Sequence, residues 1–154
     1  MNDYKTIQKD LTSVKLTKEF ASAIGCRAKG GEIIELISDL GGGKTTFVKG
    51  LVQGAGSNDV VTSPSFSLRN DYRAPRFNIA HFDFYRLEDP GLLSEMIAEI
   101  VSDDNILLII EWAQVVTHVL PDDRIRITLK VAGEEKRTIL VEYPQDREYL
   151  FLEN

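Results

Sequence analysis

The chain is poor in reactive and metal-binding side chains. It has one cysteine, two histidines and one tryptophan in 154 residues. A lone thiol, Cys26, cannot close an internal disulfide, suits a reducing compartment and reads as a small helix side chain without chemistry. Two histidines with one cysteine argue against a zinc site. No apolar run approaches the roughly 20 residues that cross a bilayer. The opening MNDYKTIQKD is polar and carries acids, unlike a secretory signal. A cytoplasmic chain with no membrane contact is therefore expected. Basic tracts, low-complexity segments and repeats are also missing. The net charge of −6 argues against extended contact between this chain alone and nucleic acid, though a local field can still hold a small anion.

What is present is ordinary globular material, 43% hydrophobic and 27% charged, and long enough for one domain with a full core. Thr17 is placed to cap a helix over roughly residues 18–29, with Phe20, Ala21, Ile24 and Ala28 on one face. Gly30 and Gly31 then break the chain before EIIELIS, whose apolar residues do not strictly alternate, as in a strand covered on both faces. KTTFVKGLVQGAG carries Phe47, Val48, Leu51 and Val52 at helical spacing. Strands are expected around VVTSPSFSL and FNIAHFDFY. DPGLLSEMIAEIVSDD reads as a helix capped by Asp89 with Pro90 at its first position. Its core-facing stripe is Leu92, Leu93, Met96, Ile97 and Ile100. NILLIIEW reads as the most buried strand. RIRITLKV and KRTILVEY, separated by AGEE, read as an antiparallel hairpin. The expected fold is a single α/β P-loop NTPase-like domain over residues 1–154. Its sheet is mixed, mostly parallel and flanked by helices, with the hairpin near its C-terminus.

The chemistry concentrates in residues 33–47, IIELISDLGGGKTTF. An apolar strand that ends in glycines and opens a helix exposes backbone N–H groups that have no intrahelical acceptor, and the helix dipole adds positive charge. Such a turn cradles phosphate, and a side chain at the glycines would block the close approach. Lys44 supplies a mobile charge for terminal phosphates, and the Thr45 hydroxyl can ligate magnesium. Ser38 stands where the usual pattern has its first glycine.

A magnesium–nucleotide site also needs carboxylates, and two apolar strands end in one: Asp83 and Glu111. Either can hold the metal or orient the attacking water, and ligands in such sheets bind beyond the carboxyl ends of the strands. Trp112 either lines the site or packs at the strand end. His81 and Tyr85 share the face of Asp83 if HFDFY is a strand. His81 is read as a hydrogen-bonded structural histidine in preference to a catalytic base. His118 is read as a surface residue. Arg86 can pair with Asp83 or with a partner's carboxylate.

LGGGKTTFVKG, SPSF, HFDFYRL and IIEW, in this order and spacing, closely resemble the TsaE family. These are bacterial P-loop ATPases of tRNA threonylcarbamoyladenosine (t6A) biosynthesis, formerly called YjeE. The resemblance runs from about Thr17 to the LPDDR segment near residue 124. It implies that Leu40, Gly41, Gly42, Gly43, Lys44 and Thr45 wrap the phosphates of ATP or ADP, with Thr46 beside them. It places magnesium at Thr45 and Glu111, and Asp83 at the water or at the metal through water. It also implies a switch-like role for Ser63, Pro64 and Ser65 beside the terminal phosphate, and puts Thr17 near the nucleotide. Lys136 or Arg137 is expected near the base. The family usually has glycine at the position of Ser38, threonine at that of Ser65 and often alanine at that of Gly42, where glycine is taken only to loosen the loop.

The implied function is slow ATP hydrolysis that supports t6A modification with TsaD-like and TsaB-like partners, with tRNA reached only indirectly through the complex. No segment reads as an arginine finger. A small-molecule kinase is the second reading, but no arginine-bearing lid stands between Glu111 and the hairpin. A nucleotide-sensing interaction module that binds without hydrolysis is the third.

Overall fold

Residues 4–11, polar in composition, alternate half-buried and exposed and form a strand, β1 (Tyr4–Leu11). The computed structural model describes residues 3–39 and 41–153; Leu40, expected at the phosphates, lies outside the described residues. After β1, Ser13 adopts extended backbone and its hydroxyl accepts from the Leu16 N–H at 3.1 Å, capping α1 (Val14–Arg27). Thr17 is therefore not the cap. It lies one turn inside the helix, buried, its hydroxyl donating to the Ser13 carbonyl at 3.3 Å. Ser13 takes the role because capping there extends the helix by one further turn.

The following elements are β2 (Ile33–Ile37), α2 (Lys44–Gly54), β3 (Arg69–Arg73), β4 (Asn78–Asp83), α3 (Leu93–Val101), β5 (Ile106–Glu111), β6 (Ile125–Val131) and β7 (Arg137–Pro144). Short 3-10 segments cover Ala113–Val119 and Gln145–Leu150. Two expectations are corrected. VVTSPSFSL is irregular, since Pro64 has no N–H to give and Leu68 turns with φ of 67°; the strand begins only at Arg69. Asp89 does not cap α3. Its carboxylate takes the Gly91 N–H at 2.9 Å, and Gly91, at φ 51°, delays the helix to Leu93. Hence Leu92 and Met96 are exposed, and Ile97 and Ile100 are the stripe residues that are buried.

The sheet order is β1-β7-β6-β2-β5-β4-β3. The central strands β6, β2, β5 and β4 are parallel, while β1, β7 and β3 join antiparallel. The antiparallel share exceeds the single hairpin because β1 and β3 add to the two edges. Odd-numbered residues of β4 and β5 face the core under α1 and α2, where Ile79, Leu107 and Ile109 pack with Phe47 and Leu51. Even-numbered ones face a second core with Ile97, Ile100 and Val116. Among the described residues, no helix is long and apolar enough to cross a membrane.

Helices α1 and α2 meet backbone to backbone. A Cβ on Gly54 would lie 2.0 Å from the Ser22 carbonyl oxygen, one on Gly50 2.5 Å from that of Lys18, and one on Gly25 2.0 Å from that of Leu51. Glycine at these three positions lets α2 sit flush on α1. That contact sets where the first turn of α2 points.

Candidate active site

β2 delivers the chain to the carboxyl edge of the parallel strands, between β5 and β6. There Gly41 (φ 75°) and Gly43 (φ 96°) take left-handed conformations that side chains resist, and α2 starts at Lys44. The first helical bond runs from the Phe47 N–H to the Gly43 carbonyl at 2.9 Å. The N–H groups of Thr45 and Thr46 have no backbone acceptor among the described residues. They open on a cleft of about 320 Å³.

The cleft gathers most of the expected residues. Gly41, Gly42, Gly43, Lys44, Thr45 and Thr46 form one wall, and Ser63, Ser65, Asp83 and Glu111 face them. Thr17 does not line it. β4 and β5 pair in register with Asp83 beside Glu111, so both carboxylates leave the same face of the sheet, toward α2. Both are buried.

Each charged group is held in a definite way. The Lys44 ammonium donates to Ser38 Oγ at 3.0 Å and to the carbonyls of Ser38 and Asp39 at 3.2 and 3.3 Å. It also lies 5.1 Å from the centre of the Trp112 ring. Among the described residues no carboxylate pairs with it. Asp83 accepts from the Ser65 hydroxyl at 2.9 Å and from the Tyr85 N–H at 3.0 Å. Ser63 and Ser65 share a hydrogen bond of 2.7 Å, so the loop before β3 hangs on Asp83. His81 Nε2 lies 3.1 Å from Glu111 Oε2; the His81 side chain is shut off from solvent, and that of Glu111 is buried at the cleft wall. The expected structural histidine is thus tied to a site residue. His118 is exposed, as expected.

Trp112 lines the cleft. Its φ of 56° is left-handed, a strain that turns the chain from β5 and sets the indole between Lys44 and the Tyr85 ring, 5.0 Å away. The strand ends at Asp83, so Tyr85 stands beyond it, exposed. Arg86 does not pair with Asp83; its guanidinium stacks 5.1 Å from the centre of the exposed Phe66 ring. From the hairpin, Arg137 reaches the cleft and donates to the Gly42 carbonyl at 3.0 Å. Lys136 is exposed and does not line it. No local pattern marks Arg137 for this contact, which spans 95 positions.

Ser38 and Gly42 are one exchange of volume. A Cβ on Gly42 would stand 2.3 Å from Ser38 Oγ and 2.7 Å from Ser38 Cβ. Gly42 is required by Ser38 and does more than loosen the loop. Gly42→Ala is expected to strain the turn by about 1–3 kcal/mol, measured as weaker ADP uptake in calorimetry. Adding Ser38→Gly should restore uptake, because the two sites share one space. Equal losses in the single and double variants would contradict the exchange.

The donors fit magnesium. It takes hard oxygen ligands, commonly one or two carboxylates with the remainder from phosphate and water. The Thr45 hydroxyl makes no hydrogen bond among the described residues, and Glu111 and Asp83 line the same cleft. Among those residues, no group of three or more His, Cys, Asp or Glu could hold a metal ion.

A family model described as Threonylcarbamoyl adenosine biosynthesis protein TsaE matches residues 11–139. The tRNA threonylcarbamoyladenosine biosynthesis protein TsaE of Rickettsia prowazekii (strain Madrid E) is 38% identical, covering 82% of this chain and 88% of its own. The protein of the same name from Bacillus subtilis (strain 168) is 34% identical, covering 80% of this chain and 77% of its own. A crystal structure of Bacillus subtilis YdiB superposes with a TM-score of 0.78 at 30% identity, covering 97% of this chain and 94% of that one. The matched span runs from the end of β1 into β7 and includes every strand that delivers a residue to the cleft, so the chain belongs to the TsaE family of threonylcarbamoyl adenosine biosynthesis proteins.

Proposed function

We propose that the chain binds ATP and ADP with magnesium in this cleft and hydrolyses ATP to ADP and phosphate in support of tRNA t6A modification in the cytoplasm. The observation that carries this reading is the convergence on one cleft, among the described residues, of first-turn amides without a backbone acceptor, a Lys44 ammonium without a carboxylate partner and two buried acids. Amides of residues 41–46 receive the phosphates, and Lys44 exchanges its carbonyl contacts for the terminal phosphate oxygens. Thr45 and Glu111 would hold magnesium, which neutralises developing phosphate charge when bound. Asp83, buttressed by Ser65, orients the attacking water. The transfer needs positioning and charge neutralisation more than covalent help.

Turnover by the chain alone is expected to be slow. Arg137, the guanidinium lining the cleft, is engaged by the carbonyls of Gly42, Gly133, Glu134 and Lys136. TsaD-like and TsaB-like partners, implied by the family, would raise the rate by completing or rearranging the site. The net charge of −6 favours tRNA contact through those partners. The test is phosphate release with and without partners, for the wild type, Asp83→Ala and Glu111→Ala. Both variants should lose about 10²-fold or more in turnover, with a far smaller loss of ATP binding. Full partner-stimulated activity in both would refute the assignment. Intact ATP binding with no phosphate release under any condition would identify a nucleotide-sensing module instead.

A further inference from the structure

Glu111 and Asp83 are neighbours in the sheet but are held differently. Asp83 has a hydroxyl and an amide on its two oxygens. Among the described residues, the Glu111 carboxylate has one hydrogen-bond partner, His81, on Oε2. A carboxylate only accepts, so the imidazole carries its proton on Nε2 and donates it. His81 Nδ1 is buried with no partner among the described residues. In this tautomer Nδ1 exposes a lone pair, which is less costly to leave unmatched than an N–H. The ring itself has little freedom. It is 0% exposed, on a central strand, with the Tyr72 ring 6.3 Å away.

We propose that His81 is a positioning residue for Glu111, holding Oε2 from within the sheet so that Oε1 is the oxygen free for a divalent cation. The inference rests on the magnesium–nucleotide reading of the cleft and deepens it. Side chains that orient a ligating carboxylate set how well it is pre-organised, and their loss typically weakens metal affinity about 10- to 100-fold. His81 thereby tunes the cation without itself lining the cleft.

Calorimetry compares the wild type, His81→Phe and His81→Gln, each titrated with ADP in EDTA and then with magnesium chloride at saturating ADP. His81→Phe keeps a ring of similar size and loses the donor; His81→Gln can return an N–H to a similar place. His81→Phe is expected to raise the magnesium half-saturation about 10- to 100-fold, with ADP affinity in EDTA within about threefold and most of the loss recovered in His81→Gln. Nitrogen NMR of the wild type without ligand should report the Nε2–H tautomer. Equal magnesium dependence in wild type and His81→Phe overturns the proposal while leaving the nucleotide reading intact. A Gln variant as impaired as Phe, or an Nδ1–H tautomer, also overturns it. Absence of ADP uptake by the wild type overturns the nucleotide reading and this proposal with it.

Discussion

Lys44→Ala should leave a folded protein that no longer takes up ATP or ADP at concentrations that saturate the wild type. The Lys44 side chain is only 9% exposed and carries its charge among carbonyl oxygens and an indole face. That arrangement stabilises an ammonium less than a carboxylate would, and leaves it ready for an anion. Removing one member of a buried, charge-assisted contact costs about 2–5 kcal/mol, which is roughly a 30- to 4,000-fold rise in Kd. The fold should hardly suffer, because deleting a buried charge without a counterion removes a desolvation cost along with three hydrogen bonds. Calorimetry with ADP, paired with a thermal melt, separates the effects. Uptake by Lys44→Ala within threefold of wild type would refute the site.

Gly54→Ala attacks the same function from behind. The added methyl would lie 2.0 Å from the Ser22 carbonyl oxygen and 2.6 Å from its carbonyl carbon and Cα. All three are backbone atoms of α1, so no rotamer change relieves the clash and the helices must part. Overpacking typically costs about 1–3 kcal/mol, and a rigid backbone neighbour puts this case near the upper end. At about 2–4 °C per kcal/mol for a chain of this size, the melting midpoint should fall by roughly 6–12 °C. Nucleotide affinity should fall too, because α2 carries Lys44 and Thr45 on its first turn. Gly133→Ala is the control, since its Cβ would meet only the flexible Lys136 side chain, at 3.3 Å. A Gly54→Ala midpoint within 1 °C of wild type would show that the interface yields easily.

Where local physics was strong, the sequence was enough. The glycine turn into α2, the buried run of β5 and the β6–β7 hairpin are each dictated by neighbouring residues, and all stand where expected. Weaker local signals were misleading. β1 is a half-exposed edge strand whose polar residues hide its alternation, and its pairing partner β7 lies more than 120 positions away. The apolar residues of VVTSPSFSL suggested a strand, but Pro64 and the left-handed Leu68 leave Phe66 in solvent. Ser13 and Thr17 are both good caps by residue type, and only the folded chain shows Ser13 at the cap and Thr17 buried one turn inside.

By itself the sequence determined the glycine turn, the lysine and threonine at the helix start, and the two acids at strand ends. These depend on spacing along a few consecutive residues. Tertiary structure alone decided what each charge touches: His81 on Glu111, Ser65 on Asp83, Arg137 on Gly42, and the glycine contact that seats α2 on α1. Those contacts join residues 18 to 95 positions apart or depend on two backbones approaching within a methyl group's width. No pattern along one chain segment encodes such a distance; it is set when the strands pair in register and the helices close on them.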